Sequence, residues 1–175
     1  MKRITSMLVV LSLTVWAGNF TLTSPDLGGQ LTKTQEFDGF GCNGQNISPK
    51  LMWKDAPKET KSFAITVYDP DAPTGSGWWH WVVINIPANV TSLDTGASGK
   101  AMPKGAIEIV NDYGTAAFGG PCPPKGDKPH RYIFTVHALD VKKLDLKPNT
   151  NTPVAGFMIN AHTIAKASLI GYYGR

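Results

Sequence analysis

The stretch that decides the fold is residues 61–73, Lys-Ser-Phe-Ala-Ile-Thr-Val-Tyr-Asp-Pro-Asp-Ala-Pro. Residues 61–67 are rich in β-branched and apolar side chains, which predicts a strand. Pro70 and Pro73 then end it, because proline cannot donate to a strand ladder. The strand therefore delivers Asp69 and Asp71 to a rigid loop, and extended backbone would point both to the same side.

Two more strands are predicted after this loop in the sequence. Residues 79–86 have two largely apolar faces, which is typical of a central strand covered on both sides. Alternation places Trp78, His80, Val82, Ile84 and Ile86 on one face and Trp79, Trp81, Val83 and Asn85 on the other. Residues 130–139 form the third strand, with His130 and Tyr132 on the same face.

The sequence period changes near the C-terminus. Thr152 followed by Pro153 is typical of a helix N-cap with proline at the first helical position. Apolar residues then recur at helical spacing through position 165, which predicts one amphipathic helix packed on the sheet. Residues 168–173 predict a short terminal strand. The 13 prolines and 18 glycines scattered along the chain favour a β-rich fold with many turns.

Residues 1–17 are predicted to be a cleavable signal peptide. Lys2 and Arg3 precede an apolar run from Met7 to Val15, and Val15 and Ala17 occupy the usual −3 and −1 positions for cleavage. The run is shorter than the roughly 20 apolar residues that span a membrane, and no later segment is long and apolar enough. This predicts a periplasmic or secreted protein with one domain, residues 18–175. The alternative is a buried N-terminal strand or helix.

The charge of the chain argues against nucleic-acid binding. The formal net charge is +4, and removing Lys2 and Arg3 with the signal peptide lowers it to about +2. The sequence has no basic stripe and no cluster of lysine and arginine, which are the usual signs of a nucleic-acid-binding protein.

Cys42 and Cys122 are the two cysteines of the chain. An even count in an exported protein predicts a disulfide bond, and two free buried thiols are the alternative. Neither cysteine has a second Cys or His nearby in the sequence, so no zinc site and no other metal site is predicted.

Three segments combine rigid prolines, permissive glycines and ionisable side chains: residues 68–73, 75–81 and 120–132. An Asp–His pair across neighbouring strand ends would orient the ring and favour the imidazolium form. His80, His130 and the Tyr132 hydroxyl would suit phosphate or carboxylate oxygens. Of the aspartates, Asp69 is predicted at the ligand and Asp71 as its structural partner. The alternative is a rigid turn whose carboxylates only cap backbone N–H groups.

The same segments resemble the phosphatidylethanolamine-binding protein family, in its bacterial branch of Raf kinase inhibitor-like proteins and within that its exported subgroup. The resemblance rests on Asn46-Ile47-Ser48-Pro49, Tyr68-Asp69-Pro70-Asp71-Ala72-Pro73, Gly77-Trp78-Trp79-His80-Trp81, and Pro123-Pro124-Lys125-Gly126 leading to His130-Arg131-Tyr132. It implies a mainly β fold: a β-sandwich with a C-terminal α-helix and short peripheral helices.

The resemblance also implies a site and a ligand class. The pocket roles of the family fall on Asp69, Asp71, His80, Pro123, His130 and Tyr132, and cysteines of the exported subgroup fall on Cys42 and Cys122. Members bind phosphate-like groups, including phospholipid headgroups, and some inhibit kinases or proteases. The stretch before His80 is shorter here than in eukaryotic members, and residues 120–122, Gly-Pro-Cys, depart from their pattern.

These observations favour a non-enzymatic periplasmic binding protein for a small anion, a phosphate or a phosphorylated headgroup, without a cofactor. One alternative is a protein-interaction module such as a protease inhibitor or secreted effector, with a protein partner. Another is a hydrolase that uses the Asp, His and Tyr side chains as acid and base, although no serine or cysteine nucleophile stands beside either histidine in a recognisable motif. A homodimer is left open by the Trp-rich loops.

Overall fold

The computed structural model describes residues 19–175, so the predicted signal peptide, residues 1–17, lies outside the described residues. Within this part of the chain the elements follow in the order β1 (Thr21–Thr23), β2 (Leu51–Lys54), β3 (Ser62–Asp69), β4 (Trp78–Pro87), β5 (Ser92–Leu93), β6 (Ile107–Ile109), β7 (His130–Leu139), α1 (Thr152–His162) and β8 (Thr163–Tyr173). The mainly β fold and its C-terminal helix are confirmed. The short peripheral helices are not seen between residues 19 and 175.

The strands form two sheets. The larger sheet has the order β6-β4-β3-β7-β8, and the smaller one has the order β1-β2-β5. All of these pairings are antiparallel. The terminal strand β8 is longer than predicted, because it begins directly after α1 and pairs with β7 along its full length.

The main core lies between the two sheets, and it includes Leu22, Leu51, Trp53, Phe63, Ile65, Val67, Trp81, Val83, Phe134 and Val136. A second cluster covers the outer face of the larger sheet, where Ala155 and Ile159 of α1 pack on Ala64, Val82 and Ile84. The central strands are therefore buried on both faces, which explains why β4 is largely apolar.

Asn151, and not the predicted Thr152, caps helix α1. The Asn151 side chain accepts a hydrogen bond from the backbone N–H of Val154. Thr152 is the first helical residue, and its hydroxyl donates to Asp112 at 3.1 Å. Asparagine and threonine are both common N-caps, so local sequence alone does not separate the two positions.

A β-bulge near the start of β4 changes the faces that simple alternation predicts. Val67 of β3 pairs with Trp81, but the next residue, Tyr68, pairs with Trp79, so His80 has no partner on β3. Trp79 consequently packs on the helix side of the sheet, whereas Trp81 lies in the core between the sheets. The extra residue of a bulge shifts all residues before it to the opposite face.

A second bulge lies at Asn85, which has a φ of 60°. Its side chain accepts from the backbone N–H of Leu144 at 2.7 Å and donates to the Leu144 carbonyl at 3.1 Å. Asparagine tolerates the left-handed conformation better than most residues. Ile86 therefore lies in the core between the sheets, and its predicted place beside Val82 and Ile84 was wrong.

The disulfide bond between Cys42 and Cys122 is present, with a Cα–Cα distance of 6.0 Å, and it closes a sequence separation of 80 residues. The structure therefore confirms the predicted pairing. A loop of this length gives about 4 to 5 kcal/mol of stabilisation in the chain-entropy model, as an upper value. Within residues 19–175, no helix has the length and apolar composition needed to cross a bilayer.

We expect the double substitution Cys42→Ser and Cys122→Ser to lower the free energy of unfolding by about 2 to 5 kcal/mol, because the unfolded chain regains the freedom that the crosslink removes. Denaturant titration measures the loss, and wild-type protein in excess reductant is the matched control. Unchanged midpoints in both samples would mean that the crosslink contributes no stability.

Protonation of the buried His137 ring is expected to lower the stability of the protein in acid. The ring lies in the sheet between the Thr66 and Thr163 hydroxyls, both at 3.2 Å. Burial first, and Lys166 second, lower the pKa of His137 to about 4. The unfolded value is near 6.5, so protonation favours the unfolded chain as the pH falls from about 6.5 to about 4.

The expected loss that His137 causes between pH 7 and pH 4.5 is about 2 kcal/mol. Denaturant titration at both pH values should therefore show a smaller decrease for His137→Gln than for the wild type. An identical decrease in the two proteins would exclude His137 as the source.

Candidate functional site

A cavity of about 170 Å³ opens at one end of the sandwich. Because β4 and β7 both run antiparallel to β3, the last residue of β3 lies beside the first residues of its two neighbours. The loops that follow β3 and precede β7 complete the wall. The strand pairing therefore assembles the site from segments far apart in the sequence.

Asp69 is the last residue of β3, and its carboxylate is buried on the cavity wall. One oxygen accepts the backbone N–H groups of Asp71 at 2.8 Å and Ala72 at 3.1 Å. The other lies 2.8 Å from Nδ1 of His130, which is also buried. These contacts fix the orientation of the His130 ring and direct its Nε2 away from Asp69, to a position 3.5 Å from Asp127.

Asp71 lies outside the cavity wall and binds Arg131. Its Oδ2 accepts the backbone N–H and the Nε–H of Arg131, both at 2.9 Å, and its Oδ1 accepts from Nη2 at 2.8 Å. Hydrogen bonding to Arg131 holds the pKa of Asp71 well below its usual range. The prediction that Asp71 and Asp69 point together was wrong, because β3 ends at Asp69. Asp71 fastens the turn after β3 to the start of β7.

His80 reaches the cavity because of the bulge at its position. Its Nδ1 donates to the Gly119 carbonyl oxygen at 2.7 Å, and its ring lies edge-on to Tyr132 at a centroid distance of 5.0 Å. Burial lowers the pKa of His80. The ring is therefore neutral near pH 7, with a lone pair on Nε2. The predicted Asp–His pair forms at His130, whereas His80 contacts a backbone carbonyl.

Two asparagines position the loop that supplies the Gly119 carbonyl. Asn46 accepts from the backbone N–H of Gly120 at 2.8 Å and donates to the Phe118 carbonyl at 3.3 Å. Asn111 donates to the carbonyls of His80 at 3.0 Å and Ala117 at 2.9 Å. The loop is also tightly packed, because a Cβ atom on Gly120 would overlap a backbone carbonyl oxygen.

Two donors that belong to residues of the cavity wall make no hydrogen bond of normal geometry to residues 19–175. They are the hydroxyl of Tyr132 and the indole N–H of Trp78, and both atoms are buried. Burial, and then the charge of Asp69, raise the pKa of Tyr132, so its hydroxyl keeps its proton and stands close to the Asp69 carboxylate. Buried polar groups in folded proteins almost always have partners. Two of the five buried polar side-chain atoms without a partner among the described residues therefore belong to residues of this wall.

The mouth of the cavity is mostly apolar. Phe40 is 71% exposed and lies 5.5 Å from the Tyr113 ring, measured between centroids. Cys122 and Pro123 also line the wall, so the disulfide bond is part of the site. Arg175 donates to the carbonyls of Pro123 at 2.6 Å and Gly41 at 2.9 Å, which joins the same two loops a second time.

The structure brings five of the six predicted ligand-binding residues to this cavity, namely Asp69, His80, Pro123, His130 and Tyr132. Sequence reasoning missed Phe40 and Tyr113 as wall residues, and it missed the supporting roles of Asn46 and Asn111. The Asn-Ile-Ser-Pro motif contained Asn46 but no signal of its contact with Gly120. The described residues contain no group of three or more His, Cys, Asp or Glu side chains that could hold a metal ion.

Comparisons with known proteins show which family the chain belongs to. Residues 23–174 match the family model of the phosphatidylethanolamine-binding protein. The chain is 49% identical over 175 residues to the UPF0098 protein YbcL of Escherichia coli K12, covering 97% of this chain and 96% of that protein. It is 48% identical over 156 residues to YbhB of the same organism, covering 87% and 98%.

Two solved structures are similar. A crystal structure of E. coli YbcL, described as a new member of the mammalian PEBP family, has a TM-score of 0.88 and 52% identity, covering 90% of this chain and 99% of that one. CT736 of Chlamydia trachomatis, described as a putative PEBP homologue, has a TM-score of 0.74 and 33% identity, covering 89% and 97%. On these matches in sequence and in fold, the chain belongs to the phosphatidylethanolamine-binding protein family.

Proposed function

We propose that this protein is a non-enzymatic periplasmic binding protein whose cavity holds a small anion, a phosphate or a phosphorylated headgroup. The observation that carries the proposal is the pair of buried donors, the Tyr132 hydroxyl and the Trp78 indole N–H, on the wall of one cavity. Leaving a buried donor without a partner costs about 1 to 3 kcal/mol. An oxyanion supplies several acceptor oxygens within a small volume and would remove both costs together.

The size and shape of the cavity favour a small group. Its volume of about 170 Å³ is below the range of about 300 to 1,000 Å³ typical of sites for drug-sized ligands. Rigid prolines and the disulfide bond hold its wall. We therefore expect the anionic group itself to enter, with the remainder of a larger ligand lying outside across the apolar mouth.

The proposed location rests on residues 1–17 and on the disulfide bond. A basic start, an apolar run and small residues before the cleavage position are typical of a secretory signal. Structural disulfide bonds persist in the periplasm and are rare in reducing compartments.

The histidine contacts favour binding over hydrolysis. Nδ1 of His80 is committed to the Gly119 carbonyl, and Nδ1 of His130 is committed to Asp69. Nucleophilic catalysis needs a base hydrogen-bonded to a Ser, Thr or Cys side chain. Cys122, which is on the wall, is consumed by its bond to Cys42.

The exposed Phe40 side chain at the mouth favours a second candidate function, a protein-interaction module. A partner could present a phosphorylated or acidic side chain to the cavity and cover Phe40 at the same time. Aromatic side chains are enriched in protein interfaces, which is why this observation points to a protein partner.

We expect Tyr132→Phe to weaken phosphate binding by about tenfold, because one hydrogen bond is lost. The same change should leave the free energy of unfolding unchanged or raise it by about 1 kcal/mol, because a buried donor without a partner disappears. Isothermal titration with inorganic phosphate and denaturant titration without it measure the two effects. A variant that is less stable and binds as well as the wild type would contradict the proposal.

A second prediction for this site compares His130 with His162, two histidines that each contact an aspartate. His130→Asn keeps a donor toward Asp69 but removes the imidazole, and it should abolish the thermal stabilisation that phosphate or phosphoethanolamine produces. His162 pairs with Asp140 at 2.9 Å far from the cavity wall, so His162→Ala should respond like the wild type. Equal responses of the two variants, measured by differential scanning fluorimetry, would exclude His130 from the site.

A further inference from the structure

We propose that the cavity recognises its anion through a proton on one oxygen, so that it binds a singly protonated phosphate group and rejects sulfate of the same shape. The inference rests on the proposed function and names the chemistry of its ligand. It follows from the donors, acceptors and charges of the cavity wall.

The wall presents acceptors beside its donors. Asp69 carries an ionisable carboxyl group, and its three present partners leave lone pairs on its two oxygens. Gly119 supplies a carbonyl, which can only accept, so the proton of the neutral His80 ring must reside on Nδ1. Nε2 of His80 then has a lone pair, and it makes no hydrogen bond to any residue between 19 and 175.

A ligand that offers only acceptors does not match this wall. Tyr132 and Trp78 would each donate to one of its oxygens, but another oxygen would approach the carboxylate of Asp69. Two acceptors facing each other without a proton repel, whereas an O–H group donating to a carboxylate makes one of the stronger hydrogen bonds in proteins. A P–OH group therefore satisfies both kinds of wall atom.

The charge balance gives the same result. None of the described residues on the wall is a lysine or arginine. Arg131, which is close in sequence to His130, is bound to Asp71 outside the wall. A doubly charged anion would meet the buried carboxylate of Asp69 with no lysine or arginine on the wall to compensate its charge. A phosphate monoester that retains its proton carries one negative charge instead of two.

Protonating His80 is the competing way to bring in a proton. The groups that face this ring are Asp69, Asp112, Tyr113, His130 and Tyr132. Burial raises the pKa of Tyr113 and of Tyr132, so both remain neutral. The two aspartates favour a charged His80 ring, but burial outweighs them and lowers the pKa of His80. The ligand oxygen is therefore the better proton carrier.

The two test anions, inorganic phosphate and sulfate, differ in whether one of their oxygens carries a proton. Inorganic phosphate carries at least one proton at pH 6 and at pH 8, whereas sulfate carries none at either pH. A phosphate monoester loses its last phosphate proton at a pKa of about 6. Sites built to hydrogen-bond a hydroxyl reject analogues without it by large factors, up to about 10⁴- to 10⁵-fold. For an open, partly hydrated site we expect phosphate to bind at least about 100-fold more tightly than sulfate.

The experiment is isothermal titration of the folded, disulfide-bonded protein with inorganic phosphate, inorganic sulfate and phosphoethanolamine at pH 6 and pH 8. Inorganic phosphate carries a proton at both pH values and should bind, and sulfate should not compete with it at equal concentration. The affinity for phosphoethanolamine, a monoester, should fall between pH 6 and pH 8 as its singly protonated phosphate group is depleted. Repeating the pH 8 titration of phosphoethanolamine in two buffers of different ionisation enthalpy should reveal about one proton taken up per molecule bound.

Asp69→Asn tests the assignment of the acceptor. Removing the carboxylate charge should reduce the ratio of the phosphate affinity to the sulfate affinity. His162→Ala should leave this ratio at its wild-type value. If Asp69→Asn does not fold, proton uptake by the wild type still decides the question.

Equal binding of sulfate and phosphate, or phosphoethanolamine binding at pH 8 without proton uptake, would overturn this inference while leaving the anion-binding function in place. Binding of neither anion would overturn both proposals. Phosphoethanolamine serves as the third probe. Tighter binding than phosphate would support a headgroup as the source of the phosphate, and equal binding would support the phosphate group alone, with the same protonation rule in either case.

Discussion

The pairing of β3 with both β4 and β7 is the constraint on which the site depends. Because both neighbours run antiparallel to β3, the end of β3 meets the beginnings of the other two strands, and Asp69 lies beside His130. The hydrogen bond between these side chains and the Asp71–Arg131 ion pair then fasten the turn after β3 to the start of β7. Sheet register thus determines which side chains share the cavity, and the loops shape its wall.

The bulge at His80 brings this ring to the cavity, which regular strand pairing alone would not do. Without the extra residue, His80 would share a face with Val82 and Ile84 and would point to the helix side of the sheet. The bulge turns the His80 ring toward Tyr132. It also places Trp79 against the cluster on the helix side of the larger sheet and Trp81 in the core between the sheets. Bulges are common beside functional sites because they redirect one side chain while preserving the remaining ladder.

The sequence predicted what depends on local pattern and residue type. Strands β3, β4 and β7 follow from apolar runs that have a proline at one end, namely Pro70, Pro87 and Pro129. The Cys42–Cys122 bond follows from the cysteine count and the predicted signal peptide. The small sheet was not predicted, because β1, β2 and β5 have only two to four residues and their order depends on long-range pairing. The bulges were not predicted either. For the bulge at His80, nothing in the run Trp-Trp-His-Trp shows which residue lacks a partner on β3.

The wall of the cavity shows why residue types alone misjudged the electrostatics of the site. Two histidines near two aspartates suggest charged rings, but charge on a ring depends on burial as well as on partners. Asp71 is neutralised by Arg131 outside the cavity, and His80 faces a carbonyl in a buried position. What remains is a wall on which neutral donors and a buried carboxylate stand side by side. Such a wall distinguishes an oxyanion that has an O–H group from one that has none, even when the two have the same shape and the same net charge.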